Sequence, residues 1–369
     1  LMKMKIKKIN VYQVDLPLVE KKYKWSGGKY VETFDSTIVE IETDNGIIGY
    51  GECCPLGPVY LPSYALGVRS GIKEIGPKLI NENPLESEKL NLIMDKYLKG
   101  HPYVKSAIDI ACWDIKGKFL NMSLCELIGG RFGEDLILYR AISQMEPDEM
   151  ANNVKKYKDM GYTKFQLKVG GDADQDIERI QLVSNILNKK DKLVADANTG
   201  WLMHDAMRVV KSVENLDVYI EQPCLSYQEC KTIRKSTSNP FILDENINDI
   251  NILIKGYMEN AMDVVNIKIS KFGGLTKSIL ARNLCVKLGI AMTIEDTWGG
   301  DVITSAIAHL AQSTPEKYLF STTDFNSYVT TSTANGAPIR KNGKMKASKK
   351  PGLGIEIKKD VIGKPVIEL

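Results

Sequence analysis

Five charged side chains close five short apolar runs in the second half of the chain. FQLK ends at Lys168, KLVAD at Asp196, VYIE at Glu221, FILD at Asp244 and DVVNIK at Lys268. The spacings are 25 residues (196 to 221), 23 (221 to 244) and 24 (244 to 268). A period in the low twenties is one strand plus one helix of a parallel barrel. Such a barrel delivers every strand's C-terminal end to one rim, where chemistry is placed. The three carboxylates are hard oxygen donors with no soft ligand nearby, which selects Mg2+ or Mn2+ over zinc. A single acid at a strand end more often caps the next helix or turns the chain. Acids on three consecutive strands point instead to metal ligands, with Glu245 and Asn198 as the residues that orient them.

Lys168 and Lys268 follow the second and sixth strands, on opposite sides of the rim. A lone rim lysine usually binds an anion. Two that face a carboxylate-held metal suit proton removal and delivery at a carbon next to a carboxylate. Such a carbon acid is too weak for an amine base in water. A metal on the substrate carboxylate stabilises the charge that develops on the enediolate. Burial beside that metal is expected to lower a lysine pKa, so that a neutral amine exists near pH 7.

The elements that must position these groups can be read along the chain. Residues 2–18 and 36–52 alternate apolar and polar, with a DNG hairpin turn between Glu42 and Ile47. Residues 19–35 read as a polar, glycine-containing loop. The Pro-rich CCPLGPVYLPSYA is a second loop, and helical spacing follows to about residue 130. Strands are predicted at 136–143, 163–168, 192–196, 217–221, 241–244, 263–268, 290–294 and 317–321, with amphipathic helices between them. The expected organisation is an α+β capping domain over 2–130, a barrel over 135–328, and a C-terminal return over 329–369 that covers the first domain.

Bulk properties narrow the function class. The 369 residues are 43% hydrophobic and 26% charged, ordinary for a globular protein. A net charge of +3 is too small to imply nucleic acid, and no apolar run is long enough for a membrane helix. The lysine-rich IRKNGKMKASKK reads as solvated surface. The basic N-terminal stretch runs into an alternating strand pattern instead of a signal-peptide core. Seven cysteines without a CxxC, Cys53 and Cys54 adjacent and the other five dispersed, imply buried thiols in a reduced, cytoplasmic protein, and argue against zinc. Only three histidines are present, and His204 and His309 fall in predicted helices, where a structural role is expected.

With these residues in hand, the chain resembles the enolase superfamily, and within it the muconate-lactonizing subgroup. The resemblance implies an α/β fold, a modified TIM barrel (β/α)7β under an N-terminal α+β cap, and a homo-oligomer. It matches Asp196, Glu221 and Asp244 to the Mg2+ ligands and Lys168 and Lys268 to the acid/base pair. One departure stands out. The usual K-x-K motif is here Gln166-Leu167-Lys168, so Gln166 supplies no extra charge and is expected to bond a ligand carboxylate or the substrate.

ECCPLGPVYLPSYALGVRSG, LYRAISQ, YTKFQLKVGGDA, VADANTGW, YIEQPCL, MTIEDTWGGD and TDFNSY, in that order, look like the cis-3-hydroxy-L-proline dehydratases of this superfamily. That likeness implies a small amino-acid substrate that loses water to give Δ1-pyrroline-2-carboxylate. The neighbouring alternative is a 2-epimerase of 4-hydroxyproline betaine or proline betaine, or another amino-acid racemase of the superfamily. A Schiff-base aldolase or a non-catalytic scaffold fits three strand-end acids poorly. Asp296, Thr297 and Trp298 after strand seven, and Asp324 after strand eight, are expected substrate contacts. Asp296 is placed to hold a cationic ring nitrogen. Tyr60, Trp25 and the Gly27-Gly28 pair lie in cap loops expected to close over the ligand.

Overall fold

The structure, a computed structural model, describes residues 4–369. Residues 2 and 3 of the expected capping domain therefore lie outside the described part. The chain opens with long antiparallel strands β1 (Ile6–Pro17), β4 (Thr33–Thr43) and β5 (Ile48–Cys53). Between β1 and β4 stands a small hairpin, β2 (Tyr23–Trp25) and β3 (Lys29–Val31). This corrects the loop expected over 19–35. The pattern was too short to read as strands, but Gly27 and Gly28 both take positive φ and make the three-residue turn, Ser26–Gly28, that joins them. Tyr23 and Trp25 face inward and Lys24 faces outward.

Three helices, Ala65–Ile75, Ser87–Tyr97 and Pro102–Leu120, cover one face of this sheet. The approach is close: a Cβ at Gly51 would lie 1.8 Å from the Ala107 carbonyl oxygen. Only glycine permits that contact.

The expected strand 136–143 is two elements. β6 (Leu136–Ile137) leaves the barrel, and β7 (Tyr139–Ile142) begins it. The barrel continues with β8 (Lys164–Lys168), β9 (Lys192–Asp196), β10 (Val218–Glu221), β11 (Phe241–Leu243), β12 (Val264–Lys268), β13 (Ala291–Glu295) and β14 (Leu319–Thr322). Each pairs in parallel with the next, and a bridge from Leu138 to Thr322 closes the ring. A helix of eight or more residues follows each of the first seven strands, and only a short turn, Phe325–Ser327, follows the eighth. The fold is the expected (β/α)7β barrel.

The C-terminal stretch serves both parts. β15 (Ala334–Asn335) pairs with β17 (Glu356–Ile357), β16 (Lys344–Met345) pairs with β6, and β18 (Ile367–Glu368) joins the cap sheet beside β1. It therefore reaches the barrel as well as the cap.

Buried polar contacts lock cap to barrel. Glu52 of β5 accepts from Gly300 N and Ile303 N, both 2.8 Å, at the start of helix Asp301–Gln312. A carboxylate there satisfies free N–H groups and meets the positive helix end. Asp109 accepts from Thr276 N at 2.8 Å and Thr276 Oγ1 at 2.6 Å. His309 joins three segments: Cys125 N donates to its Nδ1 at 3.0 Å, so Nε2 carries the proton and donates to the Leu353 carbonyl at 3.0 Å.

Burial pushes the His309 imidazole down to about 4. The unfolded chain, titrating near 6.5, takes up this proton first. Stability from the neutral ring is therefore full above about pH 6.5 and falls as the pH drops towards 4. The expected loss is on the order of 3 kcal/mol. His309→Gln removes the titration, so its melting temperature should decline less than wild type between pH 7 and 4.5. Parallel declines would exclude His309 as the cause.

Candidate active site

Strand register places the chemistry. Lys168 of β8 stands beside Asp196 of β9, and Asp196 beside Glu221 of β10. Asp244 follows the last residue of β11, and Lys268 of β12 is paired with Glu295 of β13. β8 and β12 are four strands apart in a ring of eight, so the two lysines face each other across the mouth. All of these residues are buried. None of the three expected metal ligands caps a helix; caps after β8, β10 and β11 come from Asp172, Ser226 and Asp249.

The electrostatics are tightly balanced. Lys168 Nζ bonds Asp196 Oδ2 at 2.6 Å, and Lys268 Nζ bonds Asp244 Oδ2 at 2.6 Å. Lys271 donates to Asp244 Oδ1 at 2.8 Å and to its carbonyl at 2.6 Å. Glu221 receives only amides, from Gln166 at 3.2 Å and Asn266 at 2.6 Å. Burial, then the charges of Asp196 and Asp244, push the Glu221 carboxyl well up. Burial opposes the charge on Asp244, but Lys268 and Lys271 outweigh it and hold the carboxyl below its usual range. Burial likewise works against both lysine ammoniums, and the facing Asp196 and Asp244 carboxylates reverse it, so both pKa values rise. The lowered lysine pKa expected above is thus not found in this arrangement, because a carboxylate sits on each amine.

Crowded carboxylates with no soft donor are the donor set of a hard divalent cation. Among the described residues, however, no three acidic, thiol or imidazole side chains already form a ready metal cluster. Asp196 and Asp244 are each turned onto a lysine instead. Glu245 accepts from Asn198 Nδ2 at 2.9 Å, and burial beside Asp244 and Asp196 pushes its carboxyl up to about 7. Asn198 N donates to Asp196 Oδ1 at 2.9 Å. These two residues do lie next to the carboxylate group.

A small chamber opens between the two lysines and the cap. Of the expected contacts, Trp25, Tyr60, Gln166, Asn198, Asp296, Thr297 and Trp298 line it, and Asp324 does not. Asp324 is instead fully buried, and both Arg140 and Arg340 act on its charge. Arg140 points outward from β7 to Tyr157, at 2.8 Å. Asp296 is at the chamber but committed: its carboxylate accepts from Ser270 Oγ at 2.7 Å, Thr297 N at 2.7 Å and Ser270 N at 3.1 Å. Tyr60 donates to Asp244 Oδ2 at 3.1 Å. Trp298 stacks on Phe34 of the cap, ring centroids 4.3 Å apart. Ser26 Oγ, at the hairpin tip, donates to the Asn198 carbonyl at 3.2 Å and brings the cap down onto the barrel.

Sequence reasoning missed Glu295, Tyr23, Tyr139, Asn266 and Lys271. A signal existed for some of them. Barrel strands alternate inward and outward, and the inward positions of KFQLK, VVNIK and AMTIE are polar: Gln166 and Lys168, Asn266 and Lys268, Thr293 and Glu295. β13 runs one residue past the expected end, to Glu295. That residue faces the chamber, and Tyr139 Oη donates to its Oε2.

Comparison with known proteins follows the same lines. The mandelate racemase/muconate lactonizing enzyme N-terminal domain family matches residues 26–129, and the enolase C-terminal domain-like family matches 149–361. The chain is 60% identical to a cis-3-hydroxy-L-proline dehydratase of Roseibium aggregatum, over 98% of this chain and 99% of that protein. It is 31% identical to an N-succinyl-L-Arg/Lys racemase of Bacillus cereus, over 97% of each. A solved mandelate racemase/muconate lactonizing enzyme from Roseovarius nubinhibens, complexed with magnesium, superposes with a TM-score of 0.96. It is 32% identical and covers 99% of this chain and 100% of that one.

Lys271 offers a direct test of the charge balance. Lys271→Met strips a buried cation from Asp244 and two carbonyls, and is expected to cost about 3–5 kcal/mol. Lys277→Met, which breaks a half-exposed pair with Asp95, should cost under about 1 kcal/mol. Denaturant unfolding of both variants checks the contrast.

Proposed function

This chain belongs to the mandelate racemase/muconate lactonizing enzyme family of the enolase superfamily, and on that premise we propose that it is a magnesium-dependent dehydratase. Its substrate is cis-3-hydroxy-L-proline and its product Δ1-pyrroline-2-carboxylate. The observation that carries the chemistry is the pair of buried lysines on β8 and β12, facing one chamber from opposite sides. Identity of 60% to a dehydratase over almost the whole chain supports the substrate.

Asp196, Glu221 and Asp244 are the residues that would hold the Mg2+. Their hard donors and the unrelieved repulsion on Glu221 fit a dication. When bound, the ion supplies positive charge against the substrate carboxylate, lowering the cost of the enediolate. Gln166 and Asn266 orient Glu221, while Glu245 and Asn198 orient the Asp196 side.

The lysines do the proton work. One would take the Cα proton as a neutral amine, a form open to it once its carboxylate partner, Asp196 or Asp244, is engaged by the cation instead. The electron pair of that C–H bond then expels the 3-hydroxyl, which leaves as water once an acid protonates it. The remaining Cα–Cβ double bond is an enamine, and protonation at Cβ with loss of the ring N–H proton gives the cyclic imine. Trp25, Tyr23 and Trp298 under the cap exclude bulk water, which protects the imine precursor and strengthens each charge interaction.

Among the described residues, no helix is long and apolar enough to cross a membrane. All seven cysteines are free and buried. The free thiols support a reducing, cytoplasmic setting.

Opposed lysines also fit a 2-epimerase, which removes a proton from one face and returns one to the other. The racemase relative gives that second reading its weight. Proton NMR in D2O separates the two. Dehydration removes the C3 carbinol signal of cis-3-hydroxy-L-proline and yields the imine, whereas epimerisation keeps the hydroxyl and exchanges only Cα–H. Retention of the hydroxyl at full Cα exchange would overturn the dehydratase assignment.

Chelation should abolish turnover, with recovery on adding Mg2+, and Asp196→Asn should weaken Mg2+ binding measured directly by calorimetry. Lys168→Ala and Lys268→Ala should each reduce kcat by about 10²–10⁴-fold. A variant that still exchanges the Cα proton identifies its remaining lysine as the base.

A further inference from the structure

We propose that Glu295 anchors the cationic ring nitrogen of the substrate and thereby selects a secondary ammonium over a quaternary one. The inference rests on the amino-acid dehydratase reading and names a contact that reading leaves open. Among the described residues, two carboxylates line the chamber, Glu295 and Asp296. Asp296 is consumed by Ser270 and Thr297. Glu295 is not. Tyr139 Oη fixes its Oε2, while its buried Oε1 accepts no hydrogen bond among the described residues. The nearest cation to Oε1 is Lys268 Nζ at 3.8 Å, already bonded to Asp244 at 2.6 Å.

Position supports the same pairing. β13 lies four strands from β9 in the ring of eight, so Glu295 faces Asp196 across the mouth. An amino acid whose carboxylate lies toward Asp196, Glu221 and Asp244 turns its nitrogen toward the opposite wall. Its Cα then sits between Lys168 and Lys268. A secondary ammonium has N–H groups to give to Oε1, and a dimethylated nitrogen has none. A charge-assisted hydrogen bond to an otherwise unpaired buried acceptor is among the stronger polar contacts.

Calorimetry with Mg2+ present tests this on three ligands that lack the 3-hydroxyl: L-proline, its N,N-dimethyl betaine and cyclopentanecarboxylate. Wild type should bind L-proline at least about 10-fold tighter than either of the others. Glu295→Gln should lose most of that preference while its affinity for cyclopentanecarboxylate and for Mg2+ stays within a few-fold. An unchanged preference in folded Glu295→Gln overturns the proposal. Should that variant not fold, Tyr139→Phe, which frees Oε2, should cut the preference several-fold, and no change there counts equally against it. Wild type that binds Mg2+ but none of the three ligands, and leaves cis-3-hydroxy-L-proline intact, refutes the amino-acid reading itself. Turnover of that substrate with the preference unaltered by Glu295→Gln refutes the anchor alone.

Discussion

Charge buried without water governs the mouth of this barrel. Removing a carboxylate from water costs several kcal/mol even after relaxation, unless partners repay it in good geometry. Here Asp196, Glu221, Asp244 and Glu295 are all buried within one ring of strand ends. Each of the first three is matched by a distinct partner: Lys168 for Asp196, amides for Glu221, Lys268 and Lys271 for Asp244. The parallel register flanks the three adjacent acids with cations, setting Lys168 beside Asp196 on one side and Lys268 on the strand after Asp244 on the other. Glu221, with neutral partners only, carries the unrelieved part of the repulsion.

The cap follows from the same constraint. A charged mouth open to solvent would be screened, and its charges would count for little against a substrate. The cap sheet cannot close it by apolar contact alone, since loops must cross the polar rim. Glu52 and Asp109 therefore dock onto barrel helices through backbone N–H groups. The hairpin β2–β3 and the Tyr60 loop reach over the rim itself. Trp298 joins the halves by stacking on Phe34 from the cap and packing 4.9 Å from Phe325 of the barrel. The aromatic lid thus belongs to both parts.

Much of this was legible in the sequence, for a physical reason. A parallel barrel repeats one strand and one helix, so the switch from an apolar run to a charged residue recurs at a fixed spacing. Lys168, Asp196, Glu221, Asp244 and Lys268 each sit on such a switch, and the structure brings all five to one mouth. The features that escaped depend on other information. The β2–β3 hairpin is too short for a pattern, and its identity lies in the positive φ of Gly27 and Gly28. Lys271 acts from a short helix after β12, where a buried lysine has no sequence signature apart from its partners. Asp324 looked like a rim contact, but it is fully buried and does not line the chamber.

Glu295 and Asp296 show why position within one strand matters more than position along the chain. Adjacent residues of a strand face opposite sides, so a strand end misplaced by one residue exchanges an interior carboxylate for a loop carboxylate. Read as ending at 294, the seventh strand offers Asp296 to the substrate. Read by its alternation, with Met292 and Ile294 apolar and Thr293 and Glu295 polar, it offers Glu295. Composition cannot choose between two neighbouring acids; phase can. The same phase holds on β8, where Gln166 and Lys168 share the interior, and on β12, where Asn266 and Lys268 do. On β8, β12 and β13 the interior position of the mouth is linked by a two-residue step to a polar residue beneath it, whereas the apolar Val194 and Ile242 lie beneath Asp196 and Asp244. That lower layer of Gln166 and Asn266 holds Glu221 by hydrogen bonds, and so fixes the carboxylate geometry above it without adding charge.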